Sequence, residues 1–255
     1  MQTTEKGLVS VVTPCYNAKA YIASTIASVQ KQTYTHWEML VVDDCSTDNS
    51  AEIVKQMALE DPRIRYLKTE KPSGSPTVPR NIALDNARGQ YIAFLDADDL
   101  WMPEKLEEQL AFMAVREASF VYSDYEKMDA AGRRKARVVR VRETTRYWDM
   151  LETDSVPFLT AVVKSETIGD IRFRDTAKED YVFWLELLRK REIMGYNTGK
   201  VHACYREAQG SRSGDKLDMI RKQWFVLRRV EGAKWFPAVY FMFIYLIKGV
   251  AKYIK

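Results

Sequence analysis

Apolar runs and amphipathic stretches alternate along the first hundred residues. The run LVSVVT at 8–13 is apolar and β-branched, which predicts a strand buried on both faces. Ile22, Ile26 and Val29 recur at helical spacing within 21–32. A second buried strand is expected over 36–44, ending on Asp43 and Asp44. The stretch 48–60 reads as a helix, with Ser46, Thr47 or Asp48 as N-cap. A third strand over 63–68, a helix over 79–88 stopped by Gly89, and a fourth strand over 90–96 follow. Strands alternating with helices imply right-handed crossovers and a mostly parallel central sheet flanked by helices.

Beyond residue 100 the alternation stops. A helix is expected over 103–115, with Pro103 in its first turn. Residues 118–128 and 129–142 read as two strands joined by a turn at Ala131-Gly132. Helices are expected over 179–191, 214–231 and 235–255, and a strand over 200–206. The expected organisation is a domain over 1–210, split into halves 1–100 and 101–210, with a C-terminal helical tail over 211–255.

Length and composition fit this reading. The chain has 255 residues, 46% hydrophobic and 29% charged, as for a folded globular protein. The N-terminus lacks the basic segment and apolar core of a signal peptide. Cys15, Cys45 and Cys204 form neither an even set nor a CxxC, so a reducing cytoplasm without structural disulfides is expected. The net charge of +4 is uneven, because Lys and Arg outnumber acids in the tail. A basic tail suits an anionic membrane, nucleic acid or phosphorylated substrate, or is a solvated helix face.

The chemistry collects at predicted strand ends. In parallel sheets ligands bind outside the carboxyl ends of strands. Pro14, Tyr16 and Asn17, then Asp43 and Asp44, then Asp96 and Asp98 all lie at such ends. Asp96 and Asp98, two apart on a strand end, face one spot. Two carboxylates without His or Cys favour a hard divalent cation, Mg²⁺ or Mn²⁺, that also takes phosphate oxygens. Asp99 is then left to bind backbone amides of the loop. The competing reading of DADD is an acidic turn. Tyr16 is a candidate base-stacking ring or ordinary loop packing, and Asp44 a candidate acceptor from a base N–H or a helix cap.

These residues carry a resemblance. The segments VSVVTPCYNAKAYIASTIASVQKQTYTHWEMLVVDDCSTDNS and PRNIALDNARGQYIAFLDADDLWMPEKLE resemble family 2 glycosyltransferases of GT-A, Rossmann-like fold, over about residues 8–110. The resemblance implies a nucleotide-sugar donor, usually UDP-linked, with Mg²⁺ or Mn²⁺. It implies that Pro14, Tyr16 and Asn17 pack around the base, that Asp44 contacts uracil and that Arg80 lies near the diphosphate. Asp96 would reach ribose or metal, and Asp98 would bind the metal. Asp180 would be the general base of an inverting transfer, with Glu179 and Trp184 on the acceptor side. Arg206, with Arg212 and Ser213, would belong to a segment folding over the donor. His202 is a candidate further metal ligand, although a lone His beside a strand is more often structural. The acceptor would be a glycan or lipid-linked oligosaccharide of a bacterial envelope. The QxxRW motif of processive synthases is absent, which favours addition of a single hexosyl or N-acetylhexosaminyl unit.

The tail adds WFPAVYFMFIYLI at 235–247, an apolar run of 13 residues. A bilayer span needs about 20. With Lys248, Lys252 and Lys255 at helical spacing, an interfacial helix on the cytoplasmic membrane face is expected. A helix docked on the catalytic domain or on a homodimer partner is the competing reading. Two other classes remain: a phosphatase of the haloacid dehalogenase type, whose DxD belongs in the first strand, and a non-catalytic basic module binding nucleic acid or membrane.

Overall fold

The computed structural model describes residues 4–207 and 216–254. Strands β1 (Glu5–Cys15), β2 (Trp37–Asp43), β3 (Ile64–Lys68) and β4 (Gly89–Phe94) pair in parallel, in the spatial order β3-β2-β1-β4. Helices α1 (Ile22–Gln30), α2 (Ser50–Glu60) and α3 (Thr77–Asn86) make the crossovers. Both sheet faces are covered. Val9 and Val11 of β1 with Met39 and Val41 of β2 pack against Ile22, Ile26 and Val29 of α1. Val12, Leu40 and Val42 point the other way, onto Ala83 and Leu84 of α3. Every residue of β2 is buried. Burial on both faces is why these strands read as continuous apolar runs.

Two local expectations are corrected. Asn49, not an earlier residue, precedes α2, and its side chain makes no capping bond; Asp48 instead accepts from the Ser50 amide at 2.9 Å. Gly89 does not stop α3, which ends at Asn86. It opens β4, where a Cβ would lie 2.7 Å from both Leu8 O and Ser10 N, so the close approach to β1 requires glycine.

The second half follows with β5 (Leu100–Trp101), α4 (Lys105–Arg116), β6 (Phe120–Met128), β7 (Arg134–Val139), β8 (Thr144–Thr145), α5 (Tyr147–Glu152), β9 (Val162–Lys164), α6 (Ser165–Ile168), α7 (Glu179–Arg191) and β10 (Gly195–Arg206). The sheet continues β4-β9-β6-β10-β5. Only β6 and β10 pair in parallel here; β9 runs antiparallel to β4 and β6. The sheet as a whole is therefore mixed, parallel in the first block. The expected hairpin is present as β6–β7. Two further helices, α8 (Lys216–Phe225) and α9 (Trp235–Ile254), flank a π-helical turn at Val226–Val230. α9 docks by one face: Ala238 is buried, Phe241 stacks on Trp148 at 6.2 Å, and Lys248 pairs with Glu152. Its other face exposes Phe236, Tyr240, Phe243 and Ile247. Lys255 and the side chain of Lys252 lie outside the described residues.

One buried acid braces the parallel block. Glu38 accepts from Ser10 Oγ at 2.7 Å, the Arg88 amide at 2.7 Å and Arg65 Nη1 at 2.8 Å. Burial pushes its carboxyl pKa up, but these donors outweigh burial and hold it below the ordinary value. A carboxyl so depressed stabilises the fold above its unfolded pKa, and that contribution is lost as pH falls through the folded pKa. Glu38→Gln should cost about 2 kcal/mol at pH 7 by leaving buried donors poorly matched. That corresponds to a fall in Tm of roughly 4–8 °C. Thermal melts over a pH series should show the gap to wild type shrinking on acidification.

Candidate active site

The carboxyl ends of β1, β2 and β4 open on one edge, and the loops leaving them are stitched together. Asn17 sits in the left-handed region (φ 49°), which its short polar side chain tolerates. Its Oδ1 accepts from the Thr47 amide at 2.8 Å, and its own amide donates to Ser46 Oγ at 3.0 Å. Pro14 pairs in register with Val42, and the next aromatic, Tyr16, stands 58% exposed at the rim. Asp44 is buried beneath the loop that follows β3. It accepts from Thr69 Oγ1 at 2.9 Å, the Ser73 amide at 2.9 Å, Ser73 Oγ at 2.8 Å and the Gly74 amide at 3.3 Å.

Arg80, on α3, is the buried centre of the site. Its Nη2 donates to Asp96 at 2.9 Å and its Nη1 to Glu179 at 3.2 Å. The guanidinium lies 4.1 Å over the Phe158 ring and 5.4 Å from that of Phe173. Burial works against its charge, and Asp96, Asp180 and Glu179 more than restore it, so the pKa is raised. Sequence expectation set Arg80 toward a diphosphate; its two Nη atoms here face carboxylates. The bridge joins the acids after β4 to the start of α7, 99 positions beyond Arg80.

The three aspartates lie beyond the end of β4, in a turn closed by the Asp99 amide donating to Asp96 O at 3.2 Å, so strand alternation does not set where they point. Asp96 meets Arg80, with its side chain 35% exposed. Asp98 is largely enclosed; burial raises its carboxyl pKa, and the Asp96 charge adds to that. Asp99 is buried and accepts the Arg206 amide at 2.8 Å. Burial, then Asp98 and Asp96, push the Asp99 carboxyl well up. Thr25 of α1 donates to Ala97 O and Asp99 O, each at 2.9 Å, which fixes the turn from the other side.

Arg206 requires a correction. Its Nε donates to Asp98 O at 2.6 Å and its Nη1 to Ala130 O at 3.0 Å, and the guanidinium covers the Tyr21 ring at 4.6 Å. It is committed to main-chain carbonyls and holds the acidic loop, instead of standing free for a phosphate. Arg212 and Ser213 lie outside the described residues. His202 is structural: buried, with Nε2 2.7 Å from Glu108 on α4 and Nδ1 3.3 Å from Thr198.

At α7, Glu179 and Asp180 form the first turn. Glu179 faces Arg80, and the Asp180 carboxylate accepts the Tyr181 amide at 2.8 Å. Trp184, expected on the acceptor side, is fully buried. It stacks on Phe120 at 5.0 Å and meets Phe94, Phe158 and Phe183 edge-on or tilted within 5.1–5.8 Å. It is core, because one helical turn beyond Asp180 points into the second apolar layer. Phe158, Phe173, Thr25 and Ser73 are site neighbours that sequence reasoning missed. Each sits in irregular chain or on an otherwise ordinary helix face, where periodicity carries no signal. Among the described residues, no group of three or more His, Cys, Asp or Glu forms a ready metal cage.

Comparison with known proteins bears on this geometry. A family model described as Glycosyl transferase family 2 matches residues 10–174. A Bacillus subtilis protein named as a teichuronic acid biosynthesis glycosyltransferase, TuaG, is 38% identical over 98% of this chain and 99% of its own. An Escherichia coli protein, the UDP-Glc:α-D-GlcNAc-diphosphoundecaprenol β-1,3-glucosyltransferase WfgD, is 36% identical over 96% and 95%. Staphylococcus aureus TarS residues 1–349, solved with UDP-GlcNAc, superposes with a TM-score of 0.69 at 23% identity, covering 87% of this chain and 66% of that one. That likeness shows the shared GT-A architecture.

Removing the central cation should be costly. Arg80→Met leaves two carboxylates without their partner; loss of one member of a buried pair costs about 3–5 kcal/mol, and partial hydration of both acids sets the expected loss near 3 kcal/mol. Arg80→Lys should lose less. Urea denaturation of the two variants checks the order.

Proposed function

The chain belongs to glycosyl transferase family 2, and on that premise we propose that it moves one sugar, with inversion, from a UDP-sugar to a hydroxyl of a lipid-linked glycan. The activities named for TuaG and WfgD in envelope polysaccharide synthesis support this acceptor class, and the UDP-glucose of WfgD and the UDP-GlcNAc bound to TarS support a hexosyl or N-acetylhexosaminyl donor. Family membership sets aside the phosphatase and the basic binding module. The observation that carries the reading is the Arg80 bridge, which brings Asp96 and the Glu179-Asp180 pair to one edge.

In this reading residues 1–100 bind the nucleotide, 101–210 bind the acceptor, and 211–255 form the tail. Exposed Tyr16 stacks on uracil, with Pro14 and Asn17 shaping the same pocket. Asp44 accepts the uracil N–H, which then competes with Ser73 and Gly74 for its oxygens. Asp98, with Asp96, would hold Mg²⁺ or Mn²⁺. The chemistry of the donor set suits such an ion: Asp96 and Asp98 lie close enough for the charge of one to act on the other, and two carboxylates without His or Cys leave positions for diphosphate oxygens and water. Bound there, the ion would offset negative charge developing on the departing diphosphate.

Asp180 is the general base. The acceptor hydroxyl oxygen attacks the anomeric carbon on the face opposite the diphosphate. As the new C–O bond forms, the C–O bond to phosphate breaks and its electron pair leaves with UDP. The hydroxyl proton passes to the Asp180 carboxylate. Its position in the first turn of α7, where the helix dipole favours an anion, supports this assignment. Arg80 holds Glu179 and Asp96, so it orients both sides of the reaction.

The reading also sets the enzyme peripherally on the cytoplasmic face of a membrane. No described helix is long and apolar enough to cross one. The exposed stripe Phe236, Tyr240, Phe243 and Ile247, beside exposed Arg229 and Lys234, suits an anionic bilayer surface.

Three outcomes follow. Asp98→Ala should abolish Mn²⁺-dependent binding of UDP-sugars in calorimetry. Asp180→Asn should bind donor normally and lose transfer by about 10²–10⁴-fold; transfer at the normal rate refutes the base assignment. Phe236→Glu with Phe243→Glu should abolish co-sedimentation with anionic vesicles while preserving transfer to a soluble acceptor. Unchanged sedimentation with a halved mass in solution would show instead that the stripe is a dimer contact.

A further inference from the structure

Helix α7 starts from a residue whose backbone and side chain are both constrained. Lys178, immediately before Glu179, adopts φ 56° and ψ 55°. That left-handed conformation suits glycine or asparagine and disfavours longer side chains. The Lys178 side chain is nevertheless only 6% exposed. Its ammonium donates to Gln223 Oε1 on α8 at 2.8 Å and lies 3.6 Å from the Asp154 carboxylate. It also sits 4.0 Å over the Tyr181 ring and 5.5 Å from the ring of Tyr245 on α9.

The partners are linked to one another. Gln223 is fully buried, and its Nε2 donates to the Tyr181 hydroxyl at 3.0 Å. That hydroxyl donates to Met150 O at 2.8 Å. The main chain of Lys178 closes the first turn, with the Val182 amide donating to Lys178 O at 2.9 Å. The residues on both sides of the Glu179-Asp180 pair, Lys178 and Tyr181, therefore belong to one network. Its remaining members come from α5, the segment after it, and the two C-terminal helices.

A buried ammonium needs several close polar or aromatic partners. Two of those partners, Gln223 and Tyr245, are in place only when α8 and α9 are docked. We propose that Lys178 is a positioning residue for Asp180, and that α8 and α9 are thereby a working part of the active site. Lys178 does not touch substrate; it fixes the angle at which α7 begins, and with it the direction of the Asp180 carboxylate. Small displacements of a reacting group can cost orders of magnitude in rate. The nucleotide-base side is built on β1 and β2, and α7 is tied to the turn after β4 by the Glu179–Arg80–Asp96 bridge, whose residues the Lys178 variants leave in place. The inference rests on Asp180 being the base.

Lys178→Met removes the charge while keeping the stem. Lys178→Gly relaxes the left-handed backbone and removes the clamp. Both should fold, bind UDP-sugar within about twofold of wild type, and lose at least about tenfold in kcat. Tyr245→Leu, at a partly exposed partner, should lower kcat by about threefold with donor affinity unchanged. It decides the matter if the Lys178 variants do not fold. Wild-type kcat in folded Lys178→Met or in Tyr245→Leu overturns the proposal. So does a parallel fall in donor affinity and kcat, which marks a general structural role. Asp180→Asn separates the two readings. If it transfers sugar normally, the base assignment fails; if it is inactive while Lys178→Met is normal, only the positioning role fails.

Discussion

Arg80 is closed in by the rings of Phe158 and Phe173, with Asp96 at one end of its guanidinium and Glu179 at the other. A charge so enclosed persists only while its counter-charges stay in reach. The constraint runs both ways. Asp96 is carried by the turn after β4, and Glu179 by the first turn of α7, so neither element can shift without exposing the other's charge. Nothing in the parallel sheet alone would hold α7 at that edge. The aromatic layer of Phe94, Phe120, Phe158, Phe173, Phe183 and Trp184 supplies the apolar mass behind the bridge.

Around that cation the acids outnumber their partners. Asp96, Asp98, Glu179 and Asp180 share the edge, and Asp98 and Asp99 both feel the others' charge as well as burial. Arg206 offsets part of this from beneath the loop. An anionic nucleoside diphosphate would meet a negative surface there. In the proposed reading that surplus is the electrostatic reason for a divalent ion at Asp98: it lets like-charged partners share a small volume.

Much of the framework was legible in the sequence because burial on both faces writes itself as mostly apolar runs, as at 8–13 and 36–44. Asp96 and Asp98 stood out as acids just past an apolar run, and Asp180 as an acid opening a helix to which the family resemblance pointed. Other residues carried no such mark. Trp184 and Arg206 have the side chains of a platform and a phosphate ligand, and only tertiary neighbours decide that one is core and the other binds carbonyls. Gly89 reads like any helix stop until the neighbouring strand is seen 2.7 Å from where a Cβ would stand. The stretch between α5 and α7 holds only elements as short as β9 and α6, too short to leave a period, yet it supplies Phe158, Phe173 and Lys178.

The Arg80–Glu179 contact spans 99 positions. Closing so long a loop has an entropic cost that local contacts must first offset, and non-local contacts of this kind form late in folding. The strands of the parallel block lie within the first hundred residues, but the edge where Arg80 meets Glu179 needs the chain through α7. A nascent or truncated chain would hold the nucleotide-side strands without the carboxylates that face them across Arg80. In the proposed reading, competence for chemistry is thus tied to the second half of the chain, because Glu179, Asp180 and the Arg206 that holds the acidic turn all come from it.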